Sequence, residues 1–190
     1  MMELVCPAGT PAALRAAVEA GAHAVYCGFA DETNARNFPG LNFSPEELAE
    51  GVAFAHARGA KVLVAINTFP RAGAEPAWHR ALANAEQARA DAVILADIGL
   101  LAHAAEYHPD LRRHLSVQAA AANPDAINLY AQAFGVRRVV HCGGQADADG
   151  HGLQVRVQVV QAQRGHALAQ PFQLERQGSG VVLVEQQQVG

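Results

Sequence analysis

Apolar residues along the chain fall into two kinds of segment. Short continuous runs recur at Leu4-Val5-Cys6, Ala24-Val25-Tyr26, Val62-Leu63-Val64-Ala65-Ile66, Ala92-Val93-Ile94-Leu95-Ala96, Leu115-Ser116-Val117 and Arg138-Val139-Val140. Strands covered on both faces read this way, which predicts a parallel sheet. Between them, apolar residues return at helical spacing. Thr10-Pro11 opens such a segment (Leu14, Ala17, Val18) that stops at Gly21; Ser44-Pro45 opens another (Leu48, Val52, Ala55) that stops at Gly59; Asn123-Pro124 opens a third (Ile127, Ala131, Phe134) that stops at Gly135. A capping side chain, proline in the first turn and glycine just past the end mark the two ends of a helix. Ser44 with Glu47 fits a capping box. A further helix is predicted over residues 75–89, with Trp78, Leu82 and Ala85 on one face, and another from Ile98 to Tyr107. Glycine precedes three of the strands at nearly the same offset, in GAHAVY, GAKVLV and GVRRVV.

Strand, loop and helix alternate in this way through residue 140, which is the pattern of right-handed βαβ crossovers. An open doubly wound sheet and a closed barrel compete. Cys6-Pro7-Ala8-Gly9-Thr10 stands where a dinucleotide-binding glycine fingerprint would follow the first strand, so that reading is weak. A complete barrel takes about 250 residues. The 190 residues here, 51% of them apolar, supply a real core but an incomplete barrel.

Parallel α/β folds build their sites at the carboxyl ends of the strands. The second strand breaks at Gly28 into a polar loop carrying Asp31, Glu32, Asn34, Arg36 and Asn37. Asn67, Asp97 and Gln118 each follow buried-type runs. Short polar side chains there can line a cleft and orient a polar ligand, and Arg36 can pair with a carboxylate. Asn34, Arg36, Asn67, Asp97 and Gln118 are therefore the candidate substrate-binding residues. Each has a plainer reading: Asn67 with Thr68 as a turn cap, Asp97 as a helix N-cap, Arg36 as a solvated loop charge, and Gln118 facing inward only in one strand register.

A net charge of -4 gives no electrostatic case for nucleic acid or an anionic membrane. The start, Met1-Met2-Glu3-Leu4, has neither the basic flank nor the apolar stretch of a signal peptide, and no run could span a bilayer. Cys6, Cys27 and Cys142, with no short-spaced pair, fit a reducing cytoplasm. Cys6 and Cys27 read as small buried hydrophobes. No G-x-S-x-G elbow, H-E-x-x-H or P-loop occurs, and His56, His103 and His108 lack ligand spacing. The scattered histidines read as surface residues, and the metal expectation is none.

The blocks MELVCPAG, GAHAVYCG, DETNARNFPGLNF, VAINTF, AVILADIGLL, HLSVQAAAANPDAINLY and FGVRRVV resemble the first half of the UbiU-like anaerobic ubiquinone-biosynthesis proteins. These form a branch of peptidase family U thirty-two, also called the collagenase-like protease family. The resemblance covers residues 2–140, and Asn34-Ala35-Arg36 with Ser116-Val117-Gln118-Ala119 are its most specific parts. It implies an incomplete or modified TIM-like barrel over residues 1–140. It also implies oxygen-independent hydroxylation of the ubiquinone ring, with prephenate as the oxygen source. The implied partners are a UbiV-like homologue, forming a heterodimer, and a UbiT-like lipid-binding protein. The implied cofactor is a four-iron–four-sulfur cluster on four cysteines. Those cysteines belong beyond the FGVRRVV block, so no cofactor is expected in this chain by itself. The name of the family implies a peptidase, but no nucleophile–base pair is visible. Related members hydroxylate RNA, against which the acidic balance counts.

Residues 141–190 change in composition. They hold 11 of the 14 glutamines and no lysine, asparagine, isoleucine, threonine, tyrosine or tryptophan. The expectation is a low-complexity or aberrant tail, unstructured or short β, standing where the authentic second half would begin. Gln154 to Val159 alternates as a hairpin strand does, Val181-Val182-Leu183-Val184 reads as another strand, and Gly178-Ser179-Gly180 and Gln186-Gln187-Gln188 read as filler. A truncated barrel leaves open edges, which predicts aggregation or recruitment of a partner. A non-catalytic fragment is the remaining reading of the chain.

Overall fold

Six strands run parallel in chain order: β1 (Met2–Pro7), β2 (Ala24–Gly28), β3 (Lys61–Ile66), β4 (Ala92–Leu95), β5 (Arg113–Leu115) and β6 (Arg138–Ala146). The computed structural model describes residues 2–121, 123–146, 153–161 and 182–185. Helices α1 (Pro11–Glu19), α2 (Pro45–His56), α3 (Glu75–Gln87), α4 (Ile98–Tyr107) and α5 (Pro124–Phe134) fill the crossovers. This is an incomplete TIM-like barrel, half of a closed one, with helices along its convex side.

The helix starts follow from the caps. The Thr10 hydroxyl accepts from the Ala13 amide at 3.1 Å, Asn123 Oδ1 from the Ala126 amide at 2.9 Å, and Ser44 with Glu47 closes a capping box. Each satisfies amides that the first turn of a helix leaves unpaired. α3 has no capping side chain, only Glu75 and a proline in its first turn. The fifth strand lies two residues before the Leu115–Val117 expected from apolar pattern. Ser116 leaves the ladder and caps a 3-10 turn, Val117–Ala119, accepting from the Gln118 amide at 3.3 Å.

Alternation within the strands makes two apolar layers. The convex layer joins Val25, Val62, Val64, Val93, Leu95 and Leu115 to helix residues such as Leu14, Leu48, Trp78 and Leu82, all buried. Each such side chain contributes about 2 kcal/mol by leaving water. The concave layer holds Val5, Ala24, Leu63 and Ala92, with Tyr26 and Ile94 packed against them. Glu3, His114 and Arg138 share the concave face by register: Glu3 is two residues from Val5, His114 pairs with Ile94, and Arg138 pairs with His114.

β6 continues past Val140 to Ala146 and pairs antiparallel with β7 (Leu153–Gln161), from Arg138 opposite Gln161 to Ala146 opposite Leu153. β8 (Val182–Glu185) pairs antiparallel with the free edge of β1. Residues 178–180 and 186–188, the expected filler, lie outside the described residues. Among the described residues no helix is long and apolar enough to cross a membrane.

Candidate functional site

At the carboxyl ends of β2 and β3 the concave face finishes in small residues, Gly28 opposite Ala65. The space above Gly28 belongs to Asn34. A Cβ on Gly28 would fall 2.4 Å from Asn34 Nδ2, so the close approach requires glycine at that strand end.

Asn34 is 6% exposed and organises the loop after β2. Its Nδ2 donates to the Phe29 carbonyl at 3.3 Å and to Asn42 Oδ1 at 3.0 Å, and its Oδ1 accepts from the Arg36 amide at 3.0 Å. Asn42 in turn donates to the Arg36 carbonyl at 2.8 Å. Asn42 sits at φ 79°, a left-handed conformation that asparagine tolerates better than most residues. Upstream, the Asp31 carboxylate accepts from both the amide and the hydroxyl of Thr33, at 2.9 and 2.6 Å. The Asp31, Thr33, Asn34 and Asn42 side chains are thus bonded within the turn, which fixes its backbone.

Asn67 ties this loop to β3: its Oδ1 accepts from the Ala35 amide at 3.1 Å. Thr68 adds a second tie, donating to the Glu32 carbonyl at 2.7 Å and accepting from Trp78 Nε1 at 3.0 Å. The structure therefore brings Asn34, Arg36 and Asn67 together over the ends of two neighbouring strands. Among the described residues the Arg36 guanidinium has no hydrogen bond or ion pair, and the side chain is exposed. Asp97 caps α4, with Oδ1 accepting from the Leu100 amide at 2.7 Å. Gln118 does not face inward from a strand: it is exposed on the 3-10 turn, because the strand has already ended at Leu115.

Exposed apolar side chains accompany the polar ones. Among the described residues, Phe38, Leu41 and Phe69 are exposed in the loops after β2 and β3, Ile98 is exposed at the start of α4 after β4, and Val117 at the start of the 3-10 turn after β5. Sequence reasoning passed over them because it scored apolar residues for the core. Phe38, Phe69, Ile98 and Val117 each lie one or two positions from a candidate polar residue, so the rim of the half-barrel alternates the two kinds.

The cysteines and histidines behave less uniformly. Burial pushes the Cys27 thiol up to about 12, and burial also raises Cys6. A four-iron–four-sulfur cluster needs converging thiolates, and a thiol held protonated in the apolar convex layer does not fit one. Among the described residues no three His, Cys, Asp or Glu side chains gather as metal ligands would. The surface reading of the histidines fails at His108 and His114, which are 9% and 8% exposed. His108 hydrogen-bonds Glu86 at 2.8 Å. Burial, with Arg138, Arg112 and Lys61 nearby, lowers His114 to about 3, so it stays neutral inside the half-barrel.

A cleft of about 480 Å³ opens between α3 and α4, lined by Glu75, His79, Asp97, His103, Glu106 and Tyr107 among others. The His79 and His103 rings stack across it, centroids 3.6 Å apart and planes 3° from parallel. The two residues lie on neighbouring helices, and nothing in their separation along the chain announces the contact.

Comparison with known proteins agrees with this architecture. A solved U32 peptidase, Mk0906, superposes with a TM-score of 0.60 at 20% identity, over 75% of this chain and 59% of that one. An uncharacterized protease of Methanocaldococcus jannaschii is 36% identical over 132 residues, 70% of this chain and 31% of its own length. The tRNA hydroxylation protein P of Escherichia coli is 35% identical over 138 residues, 73% of this chain and 30% of its own length. The chain thus spans about a third of the length of these curated relatives. The model of peptidase family U32 matches residues 9–142, and the chain belongs to that family.

Proposed function

We propose that this chain is the strand-end portion of an oxygen-independent hydroxylation factor whose acceptor is the ubiquinone ring. The observation that carries the reading is the clamp on residues 34–36. Asn34 and Asn67 fasten that loop over β2 and β3 and leave the Arg36 guanidinium unengaged among the described residues. A guanidinium carried by a loop held in this way is suited to the carboxylate of an oxygen donor such as prephenate. The alternation of Phe38, Phe69, Ile98 and Val117 with Arg36, Asn67, Asp97 and Gln118 suits an acceptor with an apolar body and polar ring substituents. In this reading a UbiV-like homologue and a UbiT-like lipid-binding protein complete the assembly, and the iron–sulfur cluster belongs to parts of the system other than Cys6 and Cys27.

A second reading takes an RNA base as the acceptor. It is favoured by the names of relatives: the tRNA hydroxylation protein P, and the 23S rRNA 5-hydroxycytidine C2501 synthase of Escherichia coli, 37% identical over 103 residues, 53% of this chain and 15% of its own length. The experiment replaces Arg36 by alanine in the source cells. Ubiquinone, its unhydroxylated precursors and the hydroxylated nucleosides of tRNA and rRNA are then quantified by mass spectrometry after anaerobic growth. Loss of ubiquinone with precursor build-up and unchanged nucleosides supports the first reading. Loss of a hydroxylated nucleoside alone replaces it with the second, and no change in either removes both.

A further inference from the structure

The contact between α3 and α4 is made by ionisable rings rather than aliphatic side chains at its open end. His79 and His103 are both half-buried, and their rings lie face to face at 3.6 Å. His103 also touches Tyr107, centroids 4.5 Å apart, and lies 5.9 Å from the ring of His108. Stacked imidazoles tolerate no charge or one charge, since a cation can rest on a neutral π-face. Two imidazolium rings at this spacing repel directly, and no protein group lies between them to absorb the repulsion.

We propose that the His79–His103 stack is a proton-operated latch between α3 and α4, shut while at most one ring is charged and released when both are. Every charged or titratable group lining the cleft bears on the balance. From α3, Glu75 lies one turn before His79, and Glu86 holds His108 at 2.8 Å. From α4 come Glu106, Tyr107 and His108, and from the loop before it Asp97. Burial, then His79 and His108, hold His103 below the usual imidazole range, with Glu106 opposing them, so the second proton arrives only at lower pH.

Release has a direction. α4 starts at Asp97, whose carboxylate caps its first turn at the end of β4. The lower end of the seam is held separately by His108 and Glu86, whose ion pair strengthens when His108 is protonated. Acid therefore loosens the upper end of α4, where Asp97 and Ile98 join the strand-end rim, and leaves the lower end in place. The latch does not depend on which acceptor the rim takes.

The test follows the imidazole carbon-bound protons of the full chain by NMR from pH 8 to pH 4.5, together with hydrogen exchange over residues 97–107 by mass spectrometry. The latch predicts that His79 and His103 titrate in two steps more than about one pH unit apart. It also predicts that protection of the first turn of α4, corrected for intrinsic exchange, falls ~10-fold between pH 7.5 and pH 5 while the last turn is unchanged. His103→Phe keeps a ring in the stack and removes one proton. In that variant His79 titrates in one step and α4 protection no longer depends on pH. Where His103→Phe fails to fold, His79→Phe gives the same reading from the other side. Two rings titrating independently with one midpoint, or an α4 whose protection is flat in the wild type or still falls in the phenylalanine variants, overturns the proposal.

Discussion

Arg138 Nη2 donates to Glu3 Oε2 at 2.7 Å, joining residues 135 positions apart in the chain. Glu3 lies on β1 and Arg138 on β6, the first and last of the parallel strands, so the pair crosses the inside of the curved sheet. Both side chains are only 14% exposed. A pair so placed fixes the curvature of the half-barrel more than it adds net stability, because desolvating two charges offsets most of their attraction.

Breaking the pair on one side is costly for the same reason. Arg138→Met leaves the Glu3 carboxylate buried without its partner and should destabilise the chain by about 3 kcal/mol. Replacing both, with Glu3→Leu and Arg138→Met, should recover at least half of that loss. Urea denaturation of the three proteins measures it, and an additive double variant would mean that the two residues act separately.

His114 makes the fold sensitive to acid. Its imidazole sits on the concave face beside Arg138, and burial first, then the neighbouring cations, lower it to about 3. The unfolded chain takes up this proton near pH 6.5 and the folded chain does not until about pH 3. The folded state therefore loses stability as pH falls through that window, about 2 kcal/mol from this residue by pH 5. His114→Gln should flatten the urea midpoint between pH 7 and pH 5 relative to the wild type.

The clamp after β2 is open to a double-mutant cycle. Asn34→Ala removes the donor to Phe29 and Asn42 and the acceptor for the Arg36 amide, a loss of roughly 2 kcal/mol. Gly28→Ala drives a Cβ into the same amide and should displace it, at comparable cost. Once Asn34 is alanine, Gly28→Ala should become nearly neutral, because the clashing atoms are gone. Thermal melts measure the coupling, and faster proteolysis within residues 30–42 should accompany each single variant.

The parts of the fold that are legible along the chain are those set by neighbours in sequence. Thr10-Pro11, Ser44-Pro45 and Asn123-Pro124 announce helices because a cap acts on amides two or three residues away. The strands are legible because burial on both faces leaves no room for polar residues. Ser116 misled for a local reason: its hydroxyl serves a cap as readily as a strand, and the choice moved Gln118 from the sheet to an exposed turn. Asn34, Arg36 and Asn67 were readable as strand-end polar groups, but their mutual bonding was not. It needs the chain to leave β2, turn at Asn42 and pass over β3. The His79–His103 stack and the Glu3–Arg138 pair depend wholly on tertiary packing, and no spacing in the sequence encodes them.

Arg113 belongs to the same unreadable class, standing where a strand begins and looking like an edge charge. Its Nε donates to the Phe134 carbonyl at 2.8 Å, at the end of α5, and its Nη1 approaches the carbonyls of Ala104, His108 and Leu111 at 3.3, 3.1 and 2.9 Å, around the end of α4. The Phe134 carbonyl at the end of α5 has no partner within its helix, the Ala104 and His108 carbonyls already accept from the His108 and Leu111 amides, and one planar fork joins both helix ends while complementing their dipoles. Gly135, at φ 64°, lets α5 end against that fork, since a Cβ there would lie 3.1 Å from Nη2. Arg113→Leu takes this donor from the Phe134 and Leu111 carbonyls and should cost roughly 2 kcal/mol. Arg113→Lys keeps the charge but reaches only one helix end, so it should recover less than half. Hydrogen exchange should then show fraying at the last turns of α4 and α5, and a lysine variant as stable as the wild type would show that charge alone, not the fork, holds the two ends.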